Sequence, residues 1–487
     1  MARSIRIAVV LVLALGCGGV PAPVREAYTD LTVEPARCRA PSAARVSPAA
    51  MRADLAVIER VFRRGYAGYE YAGTEEEWAR AFAEARAAVP DAPIDALAFR
   101  DLLLERFGWL DDNHVGFWIR DADGRRRWRS TSGHRQAWIG ARRFVRRGDA
   151  FVDEAGRELV GCGDRPPAAI LRPLAGDALP ALAWAPVVLS RTRPEPPLCT
   201  LRDPDGTTRG ARVALERLEL SDGRGPAFAR RQAPFPWLRL RTLFVNRREA
   251  IDAFIASAAE VRAAPVVVLD VRGVGGGADR YLNRWFRDLT SEDLRYWRTD
   301  ALHSEVTLQG ALNFWECVRS GVDSDAEGAA WLDARVARAR REIETAMRER
   351  GPFREREREH LPVPGRAPSP FAGRLILLVD RGCASACETS VLLARQLDGA
   401  LVVGENTEGT MKVGELASYR LPNSGVWLSA GRRAHRDPRV PEGFPEGRGY
   451  LPDLWLDGED VAGDVAALAA CLRDEACAAA LRRALPP

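Results

Sequence analysis

The sequence has very little lysine and histidine and no tract of biased composition. Only Lys412 among the 71 basic residues is a lysine, which fits the arginine-biased codon usage of a GC-rich genome, and there are five histidines. No segment gathers basic residues and the formal net charge is only +4, which argues against a nucleic-acid partner. The absence of repeats, with 46% hydrophobic and 8% aromatic residues, excludes a largely disordered or fibrous chain. The length of 487 residues predicts two or three globular domains.

Long apolar runs are also absent, apart from one at the start of the chain. Ile7–Leu15 follows a short basic segment and is too short to span ~30 Å of hydrocarbon, but it fits the core of a secretory signal. The run ends in LALGC, which resembles a bacterial lipoprotein box that would be lipidated at Cys17, although Ala14 stands where that box prefers leucine. Simple cleavage a few residues later is the alternative. We expect residues 1–22 to be a signal or lipoprotein peptide and the protein to be periplasmic, membrane-anchored or secreted.

Export changes how the cysteines are interpreted. Beyond Cys17 their number is even, and an oxidising compartment permits disulfides whose pairing the sequence does not give. Cys471 and Cys477 are close enough along the chain for a local bridge. A zinc site is disfavoured because no histidines or further cysteines stand at ligand spacing, so no metal or cofactor is expected. The eight cysteines are Cys38, Cys162, Cys199, Cys317, Cys383, Cys387, Cys471 and Cys477.

The first half of the chain contains two different sequence patterns. Residues 23–115 are expected to be a helical N-terminal domain, since Ser47 followed by proline is a helix start, apolar residues follow at helical spacing, and Gly65 is a stop. Residues 116–232 contain short β-like runs separated by turn sequences such as DADG and DPDGTT. This segment is expected to be a small β-rich domain.

The second half, residues 233–487, has a β/α pattern. Three continuous apolar strands are predicted at Pro265–Leu269, Leu375–Val379 and Leu401–Val403, as expected for a sheet covered on both faces. A long helical insertion at 281–370 separates the first two, and its charged amphipathic helix is expected to be a solvated lid. The predicted fold class is therefore α/β.

A glycine run follows the first of these strands. The strand ends at Asp270, and Gly275, Gly276 and Gly277 come shortly after. Consecutive glycines let the backbone approach a ligand with its N–H groups exposed, although the run alone also fits a tight turn. The G-x-G-x-x-G order of a dinucleotide loop is not met.

A serine follows the second strand. RLILLVDRGCASACETS predicts a strand, a tight turn and a helix, with Ser385 at the start of the helix. There a backbone N–H and the helix dipole can stabilise an oxyanion, as a serine nucleophile needs. The G-x-S-x-G motif is absent, so the local alternatives are a helix-capping serine, tight packing of small residues, or a reactive Cys383 or Cys387.

A histidine stands beside two carboxylates in the helical segment. LDDNHVGFW contains His114, and a neutral imidazole is the natural base for a serine hydroxyl. A single histidine is more often structural or exposed, so His114 gains weight only together with the glycine run and Ser385.

Four blocks in order carry a resemblance to a known family. LDVRGVGGG, DRGCASACE, VVGENTEG and PEGRGYLPD resemble the C-terminal-processing (tail-specific) serine protease family, from about Ser47 to Leu456. The resemblance is strong in the catalytic half and weak in the middle. It implies a crotonase-like β/α catalytic domain with a helical N-terminal segment and a small β-rich, PDZ-like middle domain.

The resemblance assigns roles to individual residues. The family's nucleophile corresponds to Ser385. Its oxyanion hole, formed by the N–H after the nucleophile and a glycine N–H, corresponds to Ala386 and Gly276. Gly275 and Gly277 are the neighbouring alternatives for the glycine.

The general base is where the chain departs from one branch of the family. The Ser–Lys branch has a lysine where this chain has Thr410, and Lys412, two residues on, is an alternative base if burial removes its proton. The tricorn-like, retinoid-binding-protein-like branch has a D-x-H motif and a late glutamate, which match His114 and Glu446. This favours a Ser385/His114 pair assisted by Glu446, with activity falling as the pH drops through about 6 to 7.

Together these features predict an exported serine endopeptidase that acts on peptide or protein substrates. The alternative is a catalytically inactive peptide- or lipid-binding protein on the same scaffold. That alternative is motivated by Thr410 and by the lack of a clear carboxylate-binding loop in the middle domain. The presence of all three catalytic motifs argues against it.

Overall fold

The computed structural model describes residues 30–176, 178–220, 225–232, 234–291, 294, 298–359, 371–436 and 443–486. The predicted signal segment, including Cys17, lies outside the described residues, as does part of the predicted insertion. No helix within these ranges is long and apolar enough to cross a membrane.

The predicted helix start at Ser47 is present in the first helix. The Ser47 hydroxyl accepts a hydrogen bond from the Ala50 N–H, and the helix runs from Pro48 to Gly65. The α-helices of the described residues are α1 (Pro48–Gly65), α2 (Tyr69–Ala72), α3 (Glu75–Ala87), α4 (Ala96–Phe107), α5 (Pro167–Ile170), α6 (Arg248–Val261), α7 (Arg280–Thr290), α8 (Glu305–Gly321), α9 (Ala326–Arg350), α10 (Thr389–Ala394), α11 (Val461–Arg473) and α12 (Glu475–Ala484).

The strands form two sheets. In chain order they are β1 (Gly116–Arg120), β2 (Arg126–Ser130), β3 (Gln136–Gly140), β4 (Phe144–Arg147), β5 (Ala150–Val152), β6 (Glu158–Cys162), β7 (Leu171–Leu174), β8 (Ala183–Ser190), β9 (Leu198–Arg202), β10 (Thr208–Arg212), β11 (Leu215–Arg217), β12 (Phe228–Arg231), β13 (Trp237–Leu240), β14 (Val266–Asp270), β15 (Arg298–Ser304), β16 (Arg354–Glu359), β17 (Arg374–Val379), β18 (Leu401–Gly404), β19 (Val413–Arg420), β20 (Trp427–Arg436) and β21 (Leu454–Trp455).

The larger sheet has a parallel centre in the order β13-β14-β17-β18-β21. The three predicted apolar strands are β14, β17 and β18, and their residues are buried on both faces. Val267 and Leu269 pack against a core that includes α6, α7 and α10, whereas Val266 and Val268 pack against α11, α12 and the middle strands. Because successive side chains of a strand point to opposite faces, this burial explains the unbroken apolar runs.

The middle β strands continue this sheet. β7 pairs in parallel with β21 and antiparallel with β8, which leads on to β4, β5, β6, β9 and β10. β1 and β2, which the sequence groups with the β-rich middle segment, instead join the second sheet beside β20. The β-rich region that lies on the larger sheet therefore begins at β3.

The second sheet has the order β16-β15-β20-β1-β2, with β19 pairing to β20. Helices α1, α3 and α4 pack with β1, β19 and β20 around one hydrophobic core. In the insertion, Ala339, Ile343 and Met347 of α9 are buried in one cluster with Leu312 of α8, so one face of the predicted lid helix is packed. The second sheet thus brings the N-terminal helical region against the segment that follows β18.

Candidate active site

The nucleophile loop, Asp380–Glu388, follows the carboxyl end of β17. Ser385 begins a single turn of 3-10 helix and has a left-handed backbone with φ of 52°. Such a conformation costs a non-glycine residue about 1–3 kcal/mol, so surrounding contacts must hold it. One contact is made by the buried Asp380, whose Oδ1 accepts hydrogen bonds from the N–H groups of Gly273 (2.8 Å) and Gly382 (3.0 Å). The loop is thereby tied to the glycine run after β14.

Glu388 is fully buried and joins the nucleophile loop to the segment after β18. Its Oε2 accepts hydrogen bonds from the N–H groups of Ser385 (3.1 Å) and Thr410 (2.7 Å). Its Oε1 accepts from the Thr407 hydroxyl (2.6 Å) and the Gly409 N–H (2.9 Å). Burial raises the pKa of Glu388 to about 7, while the hydrogen bond from Thr407 opposes the rise. Protonation of Glu388 near neutral pH would weaken the four hydrogen bonds that its carboxylate accepts.

The histidine turn, Asp111–Val115, lies directly before β1. His114 Nε2 is 3.1 Å from the Oγ of Ser385, within hydrogen-bond distance. Burial lowers the pKa of His114 to about 4, opposed by the charge of Glu408 and by the Val413 backbone. The imidazole is therefore neutral at ordinary pH and can accept a proton. Its Nδ1 is buried and has no hydrogen bond of normal geometry within the described residues.

Asp112 orients the histidine turn. Its Oδ1 accepts a hydrogen bond from the His114 N–H (2.8 Å), and its Oδ2 accepts one from the Tyr66 hydroxyl (2.6 Å). The Ser429 hydroxyl of β20 donates to the His114 carbonyl (2.8 Å). Burial raises the pKa of Asp112 to about 6, opposed by the hydrogen bond from Tyr66. The backbone of His114 is thus held on both sides by buried polar groups.

Glu446 lies behind the histidine turn and makes no hydrogen bond with the imidazole. Its Oε1 accepts from the Asn113 N–H (2.7 Å), and its Oε2 accepts from the N–H groups of Met411 (3.0 Å) and Lys412 (2.9 Å). Burial, followed by the nearby charge of Asp112, raises the pKa of Glu446. This residue links the histidine turn to the segment that leads into β19.

The glycine run packs directly on the nucleophile. A Cβ on Gly276 would lie 3.1 Å from the Ser385 Cβ and 3.2 Å from the Ala384 carbonyl oxygen, and φ at Gly276 is 101°, a conformation that favours glycine. Neither the Gly276 N–H nor the Ala386 N–H donates a hydrogen bond to any residue that the structure describes. Both are available for a ligand atom beside Ser385.

The neighbouring glycines have different surroundings. A Cβ on Gly275 would meet nothing within 4 Å, and a Cβ on Gly277 would collide with the Leu243 carbonyl at 2.3 Å. Only at Gly276 is Ser385 among the three nearest atoms that a side chain would meet.

Lys412 takes part in this region through its backbone. Its side chain is half-buried and makes no hydrogen bond or ion pair with the described residues, Ser385 included. Its charge lowers the pKa of Asp112. Thr410, at the position of the family's lysine, donates its N–H to Glu388 and leaves its buried hydroxyl without a partner in the described part of the chain.

The eight cysteines among the described residues are paired in four disulfides. The predicted local bridge Cys471–Cys477 is present. Cys383 and Cys387, considered above as reactive groups, are bonded to each other, so neither offers a thiolate and that interpretation is wrong. The remaining bridges are Cys38–Cys317 and Cys162–Cys199.

The structure brings Ser385, His114, Ala386 and Gly276 together in one site. Glu446 forms a hydrogen bond with the backbone of the histidine turn and none with the imidazole. Glu388 has no role among the sequence-based expectations, although it ends the DRGCASACE block on which the resemblance rests. Its signal is a carboxylate three residues after the serine, directly before the helix Thr389–Ala394. Asp380 gave no comparable signal.

Residues 237–439 match the family model described as Peptidase family S41. This segment spans β13 to β20 and contains Ser385 and the glycine run. This part of the chain therefore matches peptidase family S41, and the resemblance to the tail-specific serine proteases is confirmed. No curated protein sequence is similar to the chain.

Three solved structures illustrate the similarity in fold. Mature CPAF is 15% identical, with a TM-score of 0.45, covering 90% of this chain and 98% of CPAF. The photosystem II D1 C-terminal processing protease is 16% identical, with a TM-score of 0.34, covering 88% and 98% of the two chains. The tricorn protease is 12% identical, with a TM-score of 0.38, covering 88% of this chain and 37% of tricorn. At TM-scores below 0.5, these similarities add nothing to the family match and the geometry of the site.

Proposed function

We propose that this protein is an exported serine endopeptidase that works through an acyl-enzyme at Ser385, with His114 as general base. The observation that carries the proposal is the 3.1 Å contact between His114 Nε2 and Ser385 Oγ, beside two N–H groups that have no acceptor among the described residues. Oγ forms a bond to the peptide carbonyl carbon while His114 takes its proton. The N–H groups of Ala386 and Gly276 hold the oxyanion.

The acyl-enzyme forms when the carbon–nitrogen bond breaks and His114 returns the proton to the leaving amine. Water then attacks the ester, again with His114 as base, and releases the second product. The amine leaves with the original serine proton, and the proton that His114 takes from water passes to the Ser385 Oγ as the ester bond breaks, so serine and histidine end the cycle in their starting states.

Glu446 acts in this proposal as a positioning residue. Its three hydrogen bonds to backbone N–H groups support such a role, because they fix Asn113 next to His114 and the segment at Met411. Lys412 is assigned no catalytic role, since its side chain makes no hydrogen bond with Ser385.

The cellular location and the middle domain complete the proposal. Four disulfides suit an oxidising compartment, which together with the N-terminal apolar run supports export, with Cys17 as a candidate lipid anchor. The catalytic domain is proposed to be crotonase-like and the β-rich region to be PDZ-like. Substrates are proposed to be peptides or proteins.

The test is cleavage of a mixed peptide library by the purified protein and by Ser385→Ala, with products identified by mass spectrometry. The proposal predicts internal cleavages that depend on Ser385. Binding of peptides without cleavage by either protein would instead support the inactive binder, and equal cleavage by both would refute Ser385 as nucleophile.

A further inference from the structure

The Cys383–Cys387 disulfide encloses the nucleophile. The two cysteines are fully buried and lie two residues before and two residues after Ser385. The residues inside the covalent ring are Ala384, Ser385 and Ala386. We propose that this bond is a positioning element of the active site, and that full turnover requires it in the oxidised form. The inference rests on the proposed peptidase function.

The first reason is the backbone of Ser385. Its left-handed φ of 52° is unfavourable for a side chain larger than hydrogen, and local hydrogen bonds alone must otherwise maintain it. There are three such bonds: the Ser385 N–H donates to Glu388 Oε2 (3.1 Å), the Glu388 N–H donates to the Ser385 carbonyl (2.8 Å), and the Cys387 N–H donates to the Ala384 carbonyl (3.0 Å). A covalent bond across the turn restricts the torsions of the residue at its centre. It therefore holds both the serine hydroxyl and the Ala386 N–H in place.

The second reason is the contact between the ring and the glycine run. The Sγ of Cys387 lies 3.6 Å from the carbonyl oxygen of Val271, at the end of β14. The Ala384 N–H donates to the Val274 carbonyl (3.1 Å), and the Cys383 carbonyl accepts from the Glu408 N–H (3.0 Å). The disulfide ring is thus fastened to the loop that carries Gly276. Loosening it would move one oxyanion donor relative to the other.

The third reason is that this bond contributes little to global stability. In the chain-entropy account, stabilisation by a disulfide grows with the length of chain it closes. Cys383 and Cys387 are separated by 4 positions, compared with 279 for Cys38–Cys317. So short a bridge mainly controls the local geometry of the residues between the two cysteines. Its removal should act on turnover more than on the melting temperature.

The chain offers a matched control. Cys471–Cys477 is separated by 6 positions and joins α11 to α12, so it is a bridge of similar span outside the active site. The experiment compares Cys383→Ala/Cys387→Ala with Cys471→Ala/Cys477→Ala on one peptide substrate. Active sites are counted by titration with a fluorophosphonate, and thiol alkylation with peptide mapping verifies each bond in the wild type.

We expect the first double variant to lose about ten- to a hundredfold in kcat per titrated site, with KM changed by less than about threefold. The control variant should keep kcat and KM. A purely structural role would instead lower the melting temperature and the number of titrated sites, and leave kcat per site unchanged. Three results would overturn the inference. They are the pattern of a purely structural role, an unchanged kcat in the first variant, and free thiols at 383 and 387 in the active wild type.

Should the first variant fail to fold, stepwise reduction of the wild type with a phosphine replaces it. Activity and the alkylation of each cysteine are followed in the same samples. Activity should fall with reduction of the 383–387 bond and not with reduction of the 471–477 bond; activity that persists in protein reduced at 383–387 contradicts the inference. An inactive wild type would refute the proposed peptidase itself, which distinguishes the two failures.

Discussion

The nucleophile loop and the histidine turn are built in different ways. The nucleophile loop is fixed by near neighbours in the chain: Glu388, Asp380 and a disulfide across Ser385. The histidine turn is fixed by partners far away in sequence, since Glu446 lies 333 positions from Asn113. The nucleophile is therefore prepared locally, whereas the base arrives only when the two sheets come together. Substitutions in the histidine turn should lower activity while leaving the nucleophile loop intact.

The largest expected effect is that of Ser385→Ala, which removes the nucleophile and leaves both frameworks in place. We expect the turnover rate to fall by on the order of 10⁶, as for other serine peptidases, with the melting temperature unchanged within a few degrees. Steady-state cleavage of one peptide at matched protein concentrations measures this. Residual activity within tenfold of the wild type would contradict the assignment of Ser385.

His114→Ala should cost nearly as much, because the serine loses the base that removes its proton. Lys412→Arg is the matched comparison and should reduce turnover less than about threefold, since the lysine side chain makes no hydrogen bond with Ser385. The same peptide assay measures both variants. An inactive Lys412→Arg together with an active His114→Ala would restore a displaced Ser–Lys pair.

Gly276→Ala tests the oxyanion side of the nucleophile loop. The new Cβ would lie 3.1 Å from the Ser385 Cβ on a backbone with φ of 101°, so either the glycine or the serine must move. We expect a loss of about 10²–10³ in kcat, the size of one lost oxyanion donor. Gly275→Ala is the control, because its Cβ meets nothing within 4 Å and its N–H is retained. Equal losses in the two variants would speak against a specific role for Gly276.

Glu446→Gln tests the distant support of the histidine turn. Glutamine has one oxygen acceptor for three N–H donors and adds donors of its own, so at least one buried N–H loses its acceptor, which costs about 1–3 kcal/mol. We expect kcat/KM to fall by roughly ten- to a hundredfold. Exposed Glu459→Gln provides the control. If the variant partly unfolds or aggregates but its folded fraction cleaves the peptide at the normal rate, Glu446 contributes to stability alone.

The smallest effect is on the pH profile. Burial lowers the pKa of His114 to about 4, so its protonation should reduce kcat/KM only as the pH falls towards 4. This revises the limb near 6 to 7 expected for an ordinary imidazole. Glu388, with a pKa raised to about 7 by burial, is the group whose protonation would produce a shallower loss near neutrality. A full limb between pH 6 and 7 that persists in Glu388→Gln would contradict the low pKa of His114.

The histidines and buried carboxyls also predict opposing effects on stability. The folded pKa of His114 lies below its unfolded value, so its contribution to the free energy of unfolding is lost as the pH falls from about 6.5 to 4. Burial raises the pKa of Glu405 to about 8, and its contribution is lost as the pH rises from about 4.5 to 8. Glu405→Gln should therefore raise the melting temperature more at pH 8 than at pH 5. A larger gain at pH 5 would refute this sign.

The local half of the site could be predicted from sequence and the distant half only through family resemblance. The strand, turn and serine at Ser385 occupy consecutive positions, so their geometry follows from local rules. The D-N-H turn carries no local sign of its partner, because the contact with Ser385 spans 271 positions. The family resemblance assigns Glu446 an assisting role, and in the structure its carboxylate accepts hydrogen bonds from three backbone N–H groups.

The fold shows the same division. Val266–Asp270 and Leu401–Gly404 are continuous apolar strands, and their burial on both faces follows from that pattern. The pairing of β1 and β2 with β20 could not be predicted, because sheet partners far apart in sequence leave no periodic signal. The disulfide pairings were equally open, apart from the short bridge Cys471–Cys477.

The central claim is that Ser385 is activated by His114, and its most direct measurement is the rate at which a fluorophosphonate phosphonylates the Ser385 Oγ with release of fluoride. The labelled peptide is identified by mass spectrometry in the wild type, His114→Ala and Lys412→Arg. We expect stoichiometric labelling at Ser385 in the wild type. The labelling rate should be about 10³-fold or more lower in His114→Ala and unchanged in Lys412→Arg. An unlabelled wild type, or rapid labelling that needs Lys412 and not His114, would contradict it.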